Sequence, residues 1–174
     1  MLTVLTLPRG TAARNRDHTA MDTYPLLKSL HILGIVLFIG NIIVTGWWKV
    51  MADRTRDPRI DAFAQRQVTL TDWVFTLGGV VLVMIGGPIS ALWHGMPLTT
   101  SWLLTGNALF VASGVVWVVA LVPLQIKLGR MAKEFATADT IPDAYWRPAR
   151  QWVWYGTLAT VLPLAVIPVM VFKI

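Results

Sequence analysis

Four long stretches of apolar residues constrain the fold of this chain more than any other feature of its sequence. Their uncharged parts are residues 32–48, 73–93, 102–126 and 152–172. A helix rises about 1.5 Å per residue, so roughly 20 residues cross the ~30 Å hydrocarbon layer of a bilayer. Backbone groups in lipid must bond within their own segment unless they form a closed barrel, and these stretches lack the alternation of barrel strands. The sequence therefore predicts four transmembrane helices.

The predicted fold class is all-α, an integral membrane four-helix bundle. One transmembrane domain is expected over residues 21–174, with spans at about 25–48, 70–93, 102–128 and 151–172. Hydrophobic residues make up 55% of the chain and charged residues 14%, which is typical of a membrane protein rather than a soluble domain. Residues 1–20 are predicted to be a disordered extension or the product of a misplaced start codon, because Met21 opens a segment that reads as a natural start.

The Lys and Arg residues predict the orientation of the bundle. Residues 49–66 and residues 127–150 hold five of them each, whereas the connection 94–101 holds none. Because cytoplasmic connections are rich in Lys and Arg, the first and third connections are predicted to face the cytoplasm of a bacterial inner membrane, with both termini outside. The same residues would contact anionic lipid at the cytoplasmic face. This accounts for the net charge of +6 and excludes nucleic acid as the partner.

A short helix is predicted in the first cytoplasmic connection. Asp57 and Pro58 form a cap and a first helical position, and apolar residues recur after them at Ile60, Phe63 and Val68. One apolar face on a basic segment is typical of a helix that lies along the membrane surface. The predicted fold therefore includes an interfacial helix in this connection.

Polar residues fall on one face of two of the predicted spans. Polar groups inside a bilayer are costly and usually face the interior of a bundle. On the first span the stripe comprises His31, Gly34, Thr45 and Lys49, flanked by Lys28 and Asn41; on the third span it comprises Asn107, Gly114 and Gln125. These two faces are predicted to meet.

His31 is the first candidate for a metal ligand. Its neutral imidazole could bind haem iron, and Gly34, Gly86 and Gly87 could leave room for a flat macrocycle between helices. The alternative is that His31 hydrogen-bonds a neighbouring helix and the glycines serve close helix packing. His94, which ends the second span on the same side of the membrane, is the second candidate for a metal ligand. The alternative is that His94 belongs to a simple solvated turn.

Other chemistry has weaker support in the sequence. Asp72 is interpreted as a cap at the inner interface rather than a proton relay. Met84 and Met96 could join His94 as copper ligands, although filling packing gaps is the more common use of Met. The chain has no Cys, which excludes disulfides, iron–sulfur clusters and Cys nucleophiles, so redox chemistry would need a bound cofactor. Hydrolase and nucleotide-binding motifs are absent.

Several motifs resemble an uncharacterised bacterial family of predicted integral membrane proteins. The resemblance covers nearly everything after Met21. Its motifs are Leu27-Lys28-Ser29-Leu30-His31-Ile32-Leu33-Gly34, Phe38-Ile39-Gly40-Asn41, Thr45-Gly46-Trp47-Trp48-Lys49, Phe63-Ala64-Gln65-Arg66-Gln67, Thr71-Asp72-Trp73 and Pro123-Leu124-Gln125.

More distantly, the Lys-x-x-His opening, the basic first connection and the order of four helices are similar to HemJ-type protoporphyrinogen oxidases and CopD-type copper-resistance proteins. That resemblance implies haem b as cofactor, with His31 as ligand and Arg66 as a functional arginine. HemJ-type proteins carry a Lys early in the third helix, where this chain has Gly106-Asn107. Lys28 and Asn107 complete the expected polar site around His31.

Three functions stay open at the level of sequence. The first is a b-type haem protein with a redox or tetrapyrrole-related role, which rests on the His31 stripe. The second is a non-catalytic membrane subunit or scaffold, with a second copy or another membrane protein as partner, which fits the lack of any complete catalytic set. A small transporter is third, because no span carries the paired acids that ion coupling needs.

Overall fold

The computed structural model describes the backbone of residues 11–174 and the side chains of residues 24–174. This part of the chain is all-helical and contains no strand. It forms four long helices, here called the first to fourth helix: Thr11–Thr55, Pro58–Trp93, Ser101–Phe135 and Asp143–Phe172. The predicted all-α fold with four membrane-spanning helices is confirmed. The prediction for residues 1–20 falls on a segment whose side chains lie outside the described residues, and it stays a prediction.

Each of the four helices is long and apolar enough to cross a membrane, counting the first helix from Tyr24. Large apolar side chains face outward all around them; Val119 is 69% exposed and Trp154 is 77% exposed. Exposed apolar surface on this scale is unfavourable in water and is the normal outer surface of a bundle in lipid. The burial pattern therefore agrees with the hydropathy of the sequence.

The second and third helices each contain one π-helical turn. In the second helix it spans Asp72–Thr76, and in the third it spans Trp117–Leu121. The rings of Trp73 and Trp117 meet edge to face, with their centroids 6.1 Å apart, so the two turns face each other. Such turns are rare and occur often at functional sites. They mark the middle of the bundle as the region of interest.

A helix begins at Pro58 in the first connection, and Asp57 caps it as expected. Asp57 Oδ1 accepts hydrogen bonds from the backbone N–H of Arg59 at 2.8 Å and of Ile60 at 3.3 Å. The helix that begins at Pro58 is not a separate element, however, because it runs on into the second span as one helix of 36 residues. At about 54 Å it is longer than the hydrocarbon layer. A position along the membrane surface stays a prediction.

The four helices pack as two pairs. The first helix contacts the second over much of its length, and the third contacts the fourth. The pairs join where Pro58–Thr71 packs on Val122–Phe135, which is the end that carries the basic connections; we call it the basic end. At the other end Leu77–Trp93 contacts the first helix, Ser101–Val116 contacts the fourth, and the backbones of the pairs are apart. We call this the open end.

Glycines allow the first two helices to touch backbone to backbone. A Cβ atom added at Gly34 would lie 2.7 Å from Leu82 Cβ and 2.9 Å from the carbonyl oxygen of Gly79. A Cβ atom added at Gly79 would lie 2.7 Å from the carbonyl oxygen of Gly34. None of these three distances is tolerable, so any side chain at Gly34 or Gly79 would force the helices apart. This contact fixes the geometry of the first pair.

Candidate functional site

Polar side chains are buried in the interior of the bundle, where each is a candidate for function because its burial is costly. The buried polar residues of the described part are Thr45, Lys49, Asp61, Gln65, Asp72, Thr76, Ser113 and Gln125. Most of them belong to two clusters, one at the basic end and one in the middle of the bundle.

The cluster at the basic end is built on Lys49. Its Nζ donates hydrogen bonds to Asp61 Oδ1 at 2.8 Å, to the Tyr145 hydroxyl at 2.7 Å and to the carboxylate of Asp53. The Tyr145 hydroxyl in turn donates to Asp61 Oδ1 at 2.9 Å. Lys49 is 1% exposed, and Asp61 and Tyr145 are both 0% exposed. This Lys49 cluster ties the first, second and fourth helices together.

Unsatisfied polar atoms extend from the Lys49 cluster toward the middle of the second helix. Asp61 Oδ2 finds no hydrogen-bond partner among the described residues, and neither do Oε1 and Nε2 of Gln65. Gln65 lies one turn after Asp61 on the same face and is 1% exposed. Buried polar atoms of this kind are usually satisfied by ordered water. The polar region of the interior therefore continues past the ion pair.

The second cluster surrounds Asp72 at the π-helical turn of the second helix. Asp72 Oδ1 accepts hydrogen bonds from Asn41 Nδ2 and Thr76 Oγ1, both at 3.0 Å. Asp72 Oδ2 accepts a hydrogen bond from Gln125 Nε2, also at 3.0 Å. Asn41 Nδ2 also donates to Thr76 Oγ1 at 2.9 Å. This Asp72 cluster joins the first, second and third helices.

Asp72 differs from the acids at the basic end in having no cationic partner. The salt bridges in the described part of the chain are those of Lys49 with Asp53 and Asp61. All three donors to Asp72 are neutral groups. An ionised carboxylate in a membrane interior is costly unless a cation or several hydrogen bonds compensate its charge. Asp72 is thus the acid in the middle of the bundle that is compensated by neutral hydrogen-bond donors alone.

A cavity of about 800 Å³ lies beside the Asp72 cluster, between the two helix pairs. All four helices contribute to its walls. The polar side chains that line it include Thr45, Asp72, Thr76 and Ser113, and its aromatic side chains are Phe38, Trp47, Phe110, Trp117 and Trp152. Ser113 is already satisfied, because its hydroxyl donates to the carbonyl oxygen of Ala159 at 2.7 Å. Asp72 is the single ionisable side chain among the described residues that line this cavity.

His31, the predicted haem ligand, is half-buried between the first and second helices. A Cβ atom added at Gly87 would lie 2.9 Å from Cε1 of the His31 ring, and one added at Gly86 would lie 3.0 Å from His31 Cβ. The space that was expected to admit a macrocycle among Gly34, Gly86 and Gly87 is therefore filled by direct helix contact. This close contact agrees with the alternative, in which the glycines serve packing, and haem binding by His31 stays a prediction.

The other predicted site residues do not form one cluster with His31. His94 is exposed, and its ring packs on Tyr24 with 4.0 Å between centroids. Lys28 is exposed on the first helix, Arg66 is exposed at the basic end, and Asn107 is exposed on a segment that packs on the fourth helix. Among the described residues no group of three His, Cys, Asp or Glu side chains is placed to hold a metal ion. The assignment of Lys28, Asn107 and Arg66 to haem, and of His31 and His94 to a metal, stays a prediction.

The predicted polar stripes meet in the middle of the bundle through a residue that was interpreted differently. Asn41, from the stripe on the first helix, and Gln125, from the stripe on the third helix, both donate to Asp72. Asp72 was expected to cap a helix, but it lies inside a continuous helix and its side chain bridges three helices. Its 11-residue spacing from Asp61, with Gln65 between them, was a signal in the sequence, because it puts all three residues on one helical face. Nothing in the local sequence indicated the role of Tyr145.

Four apolar helices, with polar clusters buried between them, define an integral membrane protein. The chain belongs to the family described as Predicted integral membrane protein (DUF2269), whose model matches residues 25–174. The searches of curated proteins and of solved structures found no match. The predicted membership in an uncharacterised family of integral membrane proteins is therefore confirmed, and the resemblance to HemJ-type and CopD-type proteins stays a prediction.

Proposed function

We propose that this protein binds a hydrophobic small molecule within the membrane, in the cavity between its two helix pairs. The observation that carries the proposal is the cavity of about 800 Å³ with the Asp72 cluster in its wall. Binding sites for small molecules are commonly concavities of about 300–1,000 Å³ with mostly apolar walls and a few polar groups. The molecule would be held by the apolar walls and oriented by the polar cluster.

The rim of the cavity supports entry from the bilayer. Trp47, Val118 and Val119 line the cavity and are 63%, 57% and 69% exposed. Side chains exposed on the outer surface of the bundle face lipid acyl chains, so a molecule dissolved in the bilayer can reach the cavity without crossing water. The rings of Phe38 and Phe110, which also line the cavity, meet across the gap between the pairs, with their centroids 5.6 Å apart.

A cavity-filling variant tests the proposal. Gly114 lines the cavity and Gly40 does not, and an added Cβ at either position has nothing within 4 Å. Gly114→Trp should fill the cavity, and Gly40→Trp is the matched control at another glycine with room around it. The probe is a neutral aryl-diazirine photolabel, applied to the protein in lipid vesicles and mapped by mass spectrometry.

Wild type and Gly40→Trp should show saturable labelling of cavity residues, and Gly114→Trp should lose it. Labelling that does not saturate, or that is equal in all three proteins, would show that ordinary lipid fills the space. A helix from a second copy or from another membrane protein would compete for the same cleft. Recovery of such a partner with wild type but not with Gly114→Trp, in mild detergent, would favour a non-catalytic subunit or scaffold instead.

A b-type haem protein with a redox or tetrapyrrole-related role is the second candidate. The observation that favours it is that Nδ1 of His31 is buried and has no hydrogen-bond partner among the described residues. A bound macrocycle would have to lie outside the contact with Gly87. A visible spectrum of the purified protein tests this candidate: a Soret band should appear in wild type and be lost in His31→Ala, and its absence in wild type would end the idea.

The proposed location is the bacterial inner membrane, with the basic end in the cytoplasm and both termini outside. The basic end carries a second cleft, of about 490 Å³, whose lining includes Arg54, Arg56 and Arg150 together with Trp146 and Trp154. Arginine and Trp side chains at a membrane surface are suited to anionic lipid headgroups. Tag accessibility at both termini tests the orientation, and a C-terminal tag protected from protease added to spheroplasts would reverse it.

A further inference from the structure

We propose that the molecule held in the cavity is a lipophilic cation, with the Asp72 carboxylate as its counter-charge. This inference rests on the proposed function and names the chemical class of the ligand. It depends on three features of the described residues: the direction of the hydrogen bonds around Asp72, the lack of another cation near it, and the aromatic walls of the cavity.

The hydrogen bonds around Asp72 all point toward its carboxylate. Asn41 Nδ2 and Thr76 Oγ1 donate to Oδ1, and Gln125 Nε2 donates to Oδ2. Asn41 also donates to the Thr76 hydroxyl, which donates to the acid in turn. Three donors converge on its two oxygens, and several hydrogen bonds donated to a carboxylate favour its charged form. The arrangement therefore fits the ionised form, which carries one negative charge.

No side chain in the described part of the chain neutralises that charge. Lys49, the buried cation, is already bonded to two carboxylates. The cavity walls contain no Lys, Arg or His among the described residues. A buried charge of this kind is stable when a partner of opposite sign lies beside it. Since Asp72 lines the cavity, that partner can be a bound molecule.

The aromatic walls of the cavity favour the same sign of charge. Phe38, Phe110, Trp117 and Trp152 line the cavity around the Asp72 cluster. The face of an aromatic ring attracts a cation, and the attraction is larger where water is excluded. An anion would be repelled by Asp72, and a neutral molecule would leave its charge unbalanced. A large apolar molecule with one positive charge is therefore complementary to the apolar walls, to the aromatic rings and to Asp72.

Two probes of the same shape and opposite charge test the proposal. Tetraphenylphosphonium is a cation and tetraphenylborate is an anion, and each carries four phenyl rings around one central atom. Binding of each is measured by equilibrium dialysis against purified protein in detergent, with protein-free micelles as the blank. Wild type should bind the cation at least about tenfold more tightly than the anion, a difference of about 1.4 kcal/mol. Equal binding of both probes would overturn the proposal.

Variants at Asp72 test whether its carboxylate is the counter-charge of the bound cation. Asp72→Asn should weaken binding of the cation at least about tenfold, and Asp139→Asn, in an exposed connection, should leave it unchanged. Cation binding that Asp72→Asn does not weaken would overturn the proposal. Should Asp72→Asn fail to fold, the comparison of the two probes on wild type still decides the question.

The neutral photolabel separates failure of this inference from failure of the proposed function. Saturable labelling of the cavity without binding of tetraphenylphosphonium would overturn the cation and leave hydrophobic binding in place. Absence of both signals in wild type would overturn both proposals.

Discussion

Lys49 and Asp61 form a fully buried ion pair: Nζ of Lys49 donates to Oδ1 of Asp61 at 2.8 Å, and the side chains are 1% and 0% exposed. The pair joins the first helix to the second, and Tyr145 adds the fourth helix by bonding to both residues. A buried pair adds little net stability compared with apolar residues, but the loss of one partner leaves a charge that nothing compensates. The Lys49 cluster therefore fixes how the helices meet at the basic end.

Removal of Lys49 should destabilise the protein strongly. Lys49→Met leaves Asp61 buried without its cation, and the free energy of unfolding should fall by about 3–5 kcal/mol. The measurement is unfolding by added SDS in mixed micelles, followed by Trp fluorescence. Lys127→Met, which alters an exposed lysine, should change little. Equal stability of the two variants would contradict the assignment, and Lys49→Met combined with Asp61→Leu should recover much of the loss.

The hydroxyl of Tyr145 should contribute to stability in its own right. Tyr145→Phe keeps the edge-to-face contact with Phe135, whose centroid is 5.1 Å away, and removes the bonds to Lys49 and Asp61. We expect a loss of about 1–3 kcal/mol in the free energy of unfolding, because two buried groups lose a partner. Tyr155→Phe, at a residue that is 43% exposed, is the control and should be neutral. A neutral Tyr145→Phe would mean that the hydroxyl bonds add nothing to stability.

A single methyl group at Gly34 should disturb the first helix pair. Gly34→Ala places a Cβ 2.7 Å from Leu82 Cβ, and overpacking of this kind costs about 1–3 kcal/mol. Gly40→Ala is the control in the same helix, where the added atom meets nothing within 4 Å. It should be neutral or stabilising by up to about 1 kcal/mol because Ala favours helix. Thermal unfolding in detergent measures both, and a stable Gly34→Ala would contradict the close contact.

Charge removal in the cleft at the basic end should weaken retention of anionic lipid. Arg54→Gln combined with Arg150→Gln removes two cations that line this cleft, each worth about 1 kcal/mol near an anionic surface. Native mass spectrometry of protein released from phosphatidylglycerol-containing micelles should show fewer bound lipids. Arg130→Gln combined with Lys133→Gln removes two exposed cations outside the cleft and should have a smaller effect. Equal retention of anionic lipid in both double variants would show that the cleft binds lipid no better than the rest of the basic surface.

The sequence predicted the inward-facing polar residues in the middle of the bundle better than it predicted the polar site expected around His31. The stripe from Asn41 to Lys49 faces inward as its spacing indicated, and Gln125 of the third helix bonds to the same residue as Asn41, which is Asp72. The stripe at the open end does not converge in this way, because Asn107 lies on a segment that packs on the fourth helix and Lys28 is exposed. Helical periodicity places residues on a common face, but it does not say which neighbour that face will meet.

The sequence alone determined that the chain forms four membrane-spanning helices, because the length of an apolar stretch measured against bilayer thickness is a local property. It also determined the start of the second helix, where Asp57 and Pro58 act within one turn. Only the tertiary structure decided that Asp72 joins three helices, that Tyr145 completes the Lys49 cluster, and that the pairs part to form a cavity. These features depend on the rotation and separation of helices distant in sequence, which are set by contacts such as Gly34 on Gly79 and by the summed packing of all four helices.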